Sequence, residues 1–241
     1  MTSVANGEAF KAIVIGNPNV GKTRMTYLFV NNELPPVTKQ QTIGVEYYGK
    51  TIVFGMIDKK TRQPVNKSMR ISFYDTAGQE KYDAITTAHY RKSMGALVVY
   101  AVSDRASFTS VEKWINQIKE NAGPNCSIVL VANKTDLDQT EWQVSQEEGQ
   151  NMAEKHGIEF FEVSTLNNTG IDDTMNGLAR LMCIKWESLA GSFTPGFNDP
   201  HIITPRIEPN GFKLGAGGGG GFGCCTSRSE GPDGKKGSSC C

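Results

Sequence analysis

The sequence predicts an α/β fold, a mostly parallel sheet with helices on both faces, followed by a flexible glycine-rich tail. Three observations carry this reading. Short apolar runs alternate with segments of helical periodicity from Ala9 to Leu189, the pattern of strand–helix–strand units. Two of the runs, Ala96–Val102 and Ser127–Ala132, are almost continuously apolar, as strands buried on both faces are. Glycine then divides the chain, because 13 of its 26 glycines lie from Gly191 onward, including the run Gly217–Gly221. The expected organisation is an N-terminal extension over 1–8, a domain over 9–190 and a tail over 191–241.

The elements follow in order. Ala9–Ile15 is a short apolar strand, and the glycine loop after it opens a helix over Gly21–Asn31. Glu46–Ile57 and Ser68–Asp75 read as two strands of a hairpin, joined by a polar loop, Asp58–Lys67, with Pro64 as its breaker. After the buried strand at Ala96, one helix face carries Phe108, Val111, Ile115 and Ile118. Ser145 and Glu148 have the spacing of a capping box at the start of a further helix. Ile158–Ser164 is the last strand. Ile171, Met175, Leu178, Met182, Trp186 and Leu189 then mark the apolar stripe of a long helix, a core pattern and not a cofactor box.

Composition excludes several functions. The 25 basic and 25 acidic residues cancel, so the chain lacks the basic excess of a bulk nucleic-acid binder. Its longest apolar run, Met94–Val102, has nine residues, whereas a spanning helix needs about 20. The first residues lack a basic and then apolar leader, and they do not begin Met-Gly. Six cysteines without a leader point to a reducing compartment and no structural disulfides. Cys126 and Cys183 are expected as small buried side chains. Cys224-Cys225 and Cys240-Cys241 lack the spacing of a zinc site.

The chemistry lies in three motifs. Gly16-Asn17-Pro18-Asn19-Val20-Gly21-Lys22-Thr23 fits G-x-x-x-x-G-K-[ST] between a strand and a helix. Such a loop aims backbone N–H groups into a concave nest, with the helix N-terminus adding positive potential. Lys22 can reach the β and γ phosphates, and the Thr23 hydroxyl can ligate Mg²⁺. Asp75-Thr76-Ala77-Gly78-Gln79 follows a strand, so Asp75 can hold the metal, Gly78 can offer its N–H to a γ-phosphate, and Gln79 can orient a water. Asn133-Lys134-Thr135-Asp136 follows another strand. A carboxylate there can accept both N1–H and N2–H of guanine, a donor pair that adenine lacks. Lys134 can pack over the base, and Asn133 can tie this loop to the phosphate loop.

In this order the motifs make the chain resemble a small GTPase of the Ras superfamily, a P-loop NTPase with a six-stranded small G domain. Within that superfamily it resembles the Rab branch. The marks are Thr42 followed by Ile43-Gly44-Val45-Glu46-Tyr47, Arg70–Tyr74 leading into Asp75, Tyr82–Arg91, Val98-Val99-Tyr100 and the terminal Cys240-Cys241. The resemblance assigns Thr42 to the first switch, as a Mg²⁺ ligand and γ-phosphate sensor. The second switch would run from Ala77 to about Arg91. Gly16, Asn19, Val20, Gly21, Lys22, Thr23, Arg24, Thr42, Gly78, Asn133, Lys134, Asp136, Ser164, Thr165 and Leu166 become the nucleotide-contacting set. Thr23, Thr42 and Asp75 become the metal set, and Gln79 the catalytic side chain.

The implied function is a switch in vesicle traffic that binds GTP or GDP with Mg²⁺, hydrolyses GTP slowly and recruits effectors when GTP-bound. The alternative is a nucleotide-binding scaffold with little turnover, motivated by Leu34, Leu166 and a first switch one residue longer than usual between Thr23 and Thr42. Leu166 stands where lysine is common, the aromatic usual near Leu34 is missing, Tyr74 replaces a tryptophan, and the loop around Lys59–Ser68 is longer than the family's tight hairpin. The terminal Cys240-Cys241 pair resembles a double geranylgeranylation signal, and two chains suffice for stable anchoring. Implied partners are an exchange factor, an activating protein, effectors, and prenylation-escort and dissociation-inhibitor proteins. The protein would act as a monomer on the cytoplasmic face of intracellular membranes, cycling with the cytosol and binding no nucleic acid.

Overall fold

The computed structural model describes residues 2–3, 9–36, 42, 44–57, 61–76 and 89–189. Among the described residues the elements run in the order β1 (Thr2–Ser3), β2 (Ala9–Ile15), α1 (Lys22–Asn31), β3 (Val45–Ile57), β4 (Pro64–Thr76), β5 (Gly95–Ala101), α2 (Arg105–Thr109), α3 (Val111–Asn121), β6 (Ser127–Asn133), α4 (Gln146–His156), β7 (Glu159–Val163) and α5 (Ile171–Leu189). Together these strands form one sheet, in which β3 and β4 pair antiparallel and the other described pairs are parallel.

The sheet has six lateral positions, as the family resemblance implies, although seven strands are described in it. A strand has two edges, and β3 occupies one edge of β4 along its whole length. On the other edge β2 pairs with Arg70–Asp75, while Thr2 and Ser3 pair with Lys67 and Ser68. β1 and β2 thus share one position, end to end, and part of the 1–8 segment belongs to the sheet.

The β3–β4 hairpin corrects one expectation. Residues 64–67 are strand, not loop, and Pro64 opens β4 instead of breaking it. A first strand position tolerates proline because no ladder donor is lost there. The extra length of this segment is therefore paired backbone, continuous from Val45↔Thr76 to Ile57↔Pro64. Lys67 forms an ion pair with Glu187 of α5 and fastens the added length to the body of the domain.

Side chains on the two faces of the sheet make two cores. Phe10, Val14, Ile52, Phe73, Leu97 and Val131 pack with Met25 of α1 and with Met175, Leu178 and Met182 of α5. On the other face Ile13, Val98, Tyr100 and Leu130 pack with Phe108, Val111, Ile115 and Ile118. The expected stripe is present, but Phe108 belongs to a separate short helix, because the chain bends at Ser110 between α2 and α3. β5 and β6 are buried at every position. Among the described residues no helix is long and apolar enough to cross a membrane.

The predicted capping box forms at α4, where Ser145 Oγ accepts from Glu148 N and the Glu148 carboxylate accepts from Ser145 N. The Arg105 guanidinium also grips that carboxylate. Together they hold it at about 2, below the usual carboxylate range. A depressed carboxyl pKa adds stability that is full above the unfolded value and is lost as pH falls through the folded one. Glu148→Gln is therefore expected to lower the melting temperature at pH 7 slightly. The gap to wild type should close as pH falls from about 4.5 toward about 2, and thermal unfolding followed by circular dichroism across that window checks it.

Candidate functional site

The site gathers where β2, β4, β5 and β6 end, because parallel strands deliver their following loops to one edge of the sheet. The loop after β2 is shaped by two glycines. Gly16 has φ +142° and Gly21 has φ +97°, values that side-chain-bearing residues rarely adopt. A Cβ on Gly16 would lie 2.1 Å from the Val99 carbonyl oxygen, and one on Gly21 would lie 2.2 Å from Asn133 Nδ2. The loop is thus wedged between β5 and the end of β6, with no room for even a methyl group at either glycine.

Lys22 opens α1 and is buried, its ammonium donating to the carbonyls of Gly16 and Asn17 at 2.8 Å each. Burial pulls its pKa down to about 8, against the opposing pull of Asp75. Beside it, Thr23 Oγ1 lies 2.7 Å from Thr42 Oγ1 and donates to Asp75 Oδ2. Asp75 is fully buried at the end of β4, and Thr76 Oγ1 donates back to Val14 O at 2.9 Å. Two hydroxyls and a carboxylate therefore face one point next to a buried ammonium. Such hard oxygen donors suit Mg²⁺ and not a thiophilic metal, so the residues present fit the expected ion.

The second half of the site is built on Asn133. Its Nδ2 donates to Val20 O at 2.7 Å, and its Oδ1 accepts from Lys134 N at 2.8 Å and from Thr165 N at 3.4 Å. One buried side chain joins the phosphate loop, the Asn-Lys-Thr-Asp loop and the loop after β7. Lys134 takes a positive φ of 69°. Asp136 is half-buried, and its Oδ1 accepts from Ser164 Oγ at 2.5 Å. Ser164 and Thr165 are buried, whereas Leu166 beside them is 59% exposed.

The structure thus brings together Gly16, Val20, Gly21, Lys22, Thr23, Thr42, Asp75, Asn133, Lys134, Asp136, Ser164 and Thr165. Asn19 lies exposed in the same loop at φ 62°, and Arg24 is exposed on α1. Gly78, Gln79, Cys240 and Cys241 lie outside the described residues.

Asn17 has a part that the motif does not reveal, since it occupies a variable motif position. Its Oδ1 accepts from Trp114 Nε1 at 3.0 Å, and its Nδ2 donates to Ser110 Oγ at 3.1 Å. Both partners lie more than ninety positions away, and no local signal marks them. An aromatic cluster borders the site as well. The Tyr47 and Tyr74 rings meet edge to face at 4.6 Å, His89 lies 6.1 Å from Tyr74, and Tyr47 is 52% exposed. Burial and the nearby Lys11 both lower the His89 pKa.

A strand, a tight glycine loop and a helix opening on a buried lysine define a P-loop nucleotide-binding protein. Comparison with known proteins gives the family. The Ras family model matches residues 11–184. Ras-related protein Rab-11B of Dictyostelium discoideum is 41% identical over 168 residues, covering 70% of this chain and 71% of the relative. Rab-11A of the same organism is 36% identical over 224 residues, covering 89% and 99%. GTP-binding protein Rab-3D of Rattus norvegicus is 37% identical over 190 residues, covering 78% and 81%. The chain belongs to the Ras family, as a Rab-like small GTPase, an enzyme of GTP hydrolysis in vesicle traffic. Members of this family bind GTP and GDP, generally with Mg²⁺, and work with exchange factors, activating proteins and effectors. The scaffold alternative is not favoured.

Proposed function

We propose that this chain is a membrane-anchored GTP switch whose site residues act as the sequence motifs suggest. The observation that carries the proposal is the meeting of Thr23, Thr42 and Asp75 beside the buried Lys22. Lys22 and the N–H groups at the start of α1 neutralise the β and γ phosphates. Thr23, Thr42 and Asp75 would hold Mg²⁺, which would supply charge withdrawal from the phosphate oxygens. Asp136 accepts the guanine N1–H and N2–H, Ser164 holds that carboxylate in place, Thr165 and Leu166 border the base, and Lys134 lays its stem over it. Gly78 donates its N–H to the γ-phosphate, and Gln79 orients the attacking water.

Thr42 and the segment beginning at Ala77 are thereby drawn to the γ-phosphate and released after hydrolysis. Tyr47 and Tyr74 lie between these two segments in the chain and His89 lies near the end of the second, so effectors reading the GTP state have an aromatic surface beside both. The sequence shows no arginine obviously placed as a finger in cis. An activating protein supplies it and raises the slow intrinsic rate by about 10³ to 10⁵. The domain over 9–190 performs the switching, and the 191–241 tail carries geranylgeranyl groups on Cys240 and Cys241. Escort and dissociation-inhibitor proteins shield those groups as the protein cycles between the cytosol and the cytoplasmic face of intracellular membranes.

Cysteine replacement in cells tests the anchored switch. Cys240→Ser with Cys241→Ser is expected to move the protein to the soluble fraction with GTP binding unchanged. Cys224→Ser with Cys225→Ser should leave it on membranes. Fractionation with the reverse pattern refutes the anchor, and failure of the purified protein to prefer GTP over ATP refutes the switch.

A further inference from the structure

The lengthened hairpin leaves β3 as an edge strand of thirteen residues, paired only with β4 among the described residues. Edges this long are usually blunted by proline, a bulge or charges along the rim. β3 has no proline, and its pairing with β4 is regular at every position, without a bulge. Its two charged residues lie on the half-buried side and are engaged there. Tyr48 donates to Glu46, and Lys50 donates to Phe29 O and Asn32 Oδ1. The other face carries Tyr47, Gly49, Thr51, Val53, Gly55 and Ile57, all uncharged, with Tyr47, Val53 and Ile57 each about half exposed or more.

We infer that β3 pairs antiparallel with β3 of a second copy, on a two-fold axis through Thr51, joining two sheets into one. Directly opposite residues share a face in an antiparallel pair, so the axis must pass through a residue. Thr51 is the midpoint of Val45–Ile57, and only there do all thirteen residues find partners. In that register Thr51 faces its own copy, a favourable cross-strand pair. Val53 faces Gly49 of the second copy, Ile57 faces Val45, and Tyr47 covers Gly55, the aromatic-over-glycine arrangement that supports edge glycines. Lys50 faces Ile52 and Glu46 faces Met56, so no like charges stand directly opposite each other.

This self-complementarity is what a closed two-fold interface requires, and it makes a second copy a better occupant than a foreign peptide. The dimer is small and therefore weak in solution; membrane anchoring, by confining copies to a surface, would raise its population. It departs from the monomer expected from sequence and gives the lengthened hairpin a use.

The test is sedimentation velocity of the full-length, GDP-loaded protein under reducing conditions, from low micromolar to near-millimolar concentration. Wild type is expected to move from monomer toward dimer across that range. Thr51→Lys sets two ammonium groups face to face, beside the Arg70 that lies opposite Thr51 on each β4. It is expected to weaken the dimer at least about tenfold. Mixing Thr51→Lys with Thr51→Glu is expected to restore association above either variant alone. Unchanged circular dichroism and GDP binding show that the variants fold, since Thr51 touches no part of the nucleotide site. Wild type that stays monomeric throughout, a dimer indifferent to Thr51→Lys, or a mixture that stays monomeric overturns the inference.

Discussion

Asp136→Ala is expected to lower GTP affinity at least tenfold, and Lys22→Ala to do the same by a different route. The Asp136 carboxylate would accept two guanine hydrogen bonds, and bonds to a charged group contribute about 1.5–3 kcal/mol each. One such bond is enough for a tenfold change, since 1.4 kcal/mol is a factor of about ten. Removing Asp136 also deprives the Ser164 hydroxyl of its acceptor, although that oxygen keeps the Asn167 N–H at 3.0 Å. The loop therefore stays folded, and the loss falls mainly on the base. Weak affinity for ATP should not change, because ATP lacks the two donors. Lys22→Ala instead weakens GTP and ATP alike, because its ammonium acts on phosphates. It also leaves the Gly16 and Asn17 carbonyls without the ammonium they accept from. Isothermal titration calorimetry with GTP, GDP and ATP separates the two patterns. Unchanged GTP affinity in both variants sinks the site assignment.

Gln79→Leu is expected to keep GTP binding and to slow hydrolysis at least about tenfold, a loss of about 1.4 kcal/mol of transition-state stabilisation. Leucine approximates the volume of glutamine but has neither donor nor acceptor with which to orient water. Pro18 in the phosphate loop does not oppose this role. Its ring is compact, its φ is fixed near −65°, and it has no N–H to misdirect. Single-turnover phosphate release from GTP-loaded protein, with and without an activating protein, reads the effect. Equal rates for wild type and Gln79→Leu would mean that Gln79 is not catalytic and would revive the scaffold reading.

Much of this molecule is legible in the sequence because strong local patterns coincide with burial. The Ala9, Ala96 and Ser127 runs lie on parallel strands covered on both faces, so their apolar continuity is itself the structural signal. Gly16 and Gly21 are legible as a tight glycine loop because its backbone conformation demands glycine at those two positions. The hairpin was less legible. Asn66 and Lys67 are polar residues of the kind found in loops, yet they are strand because β3 supplies ladder partners for them. Pairing across a hairpin is a tertiary fact, and it overrides the weak local preference of polar residues. The hold of Trp114 and Ser110 on Asn17 was not legible at all, since three elements distant in sequence must fold before those side chains meet.

The Asn133–Val20 hydrogen bond spans 113 positions, and this distance bears on the order of folding. Contacts of such separation carry the entropy of closing a long loop before they contribute any enthalpy. The hairpin β3–β4 and neighbouring pairs such as β5–β6 close much shorter loops, so they are the natural early structure. The clasp that joins the phosphate loop to the base-reading loop then forms late, after the sheet has been assembled. A ligand held by late contacts lowers the native state more than the transition state, so nucleotide acts on the barrier to unfolding and barely on the rate of folding. The loaded protein is thus protected chiefly by the slowness with which it opens.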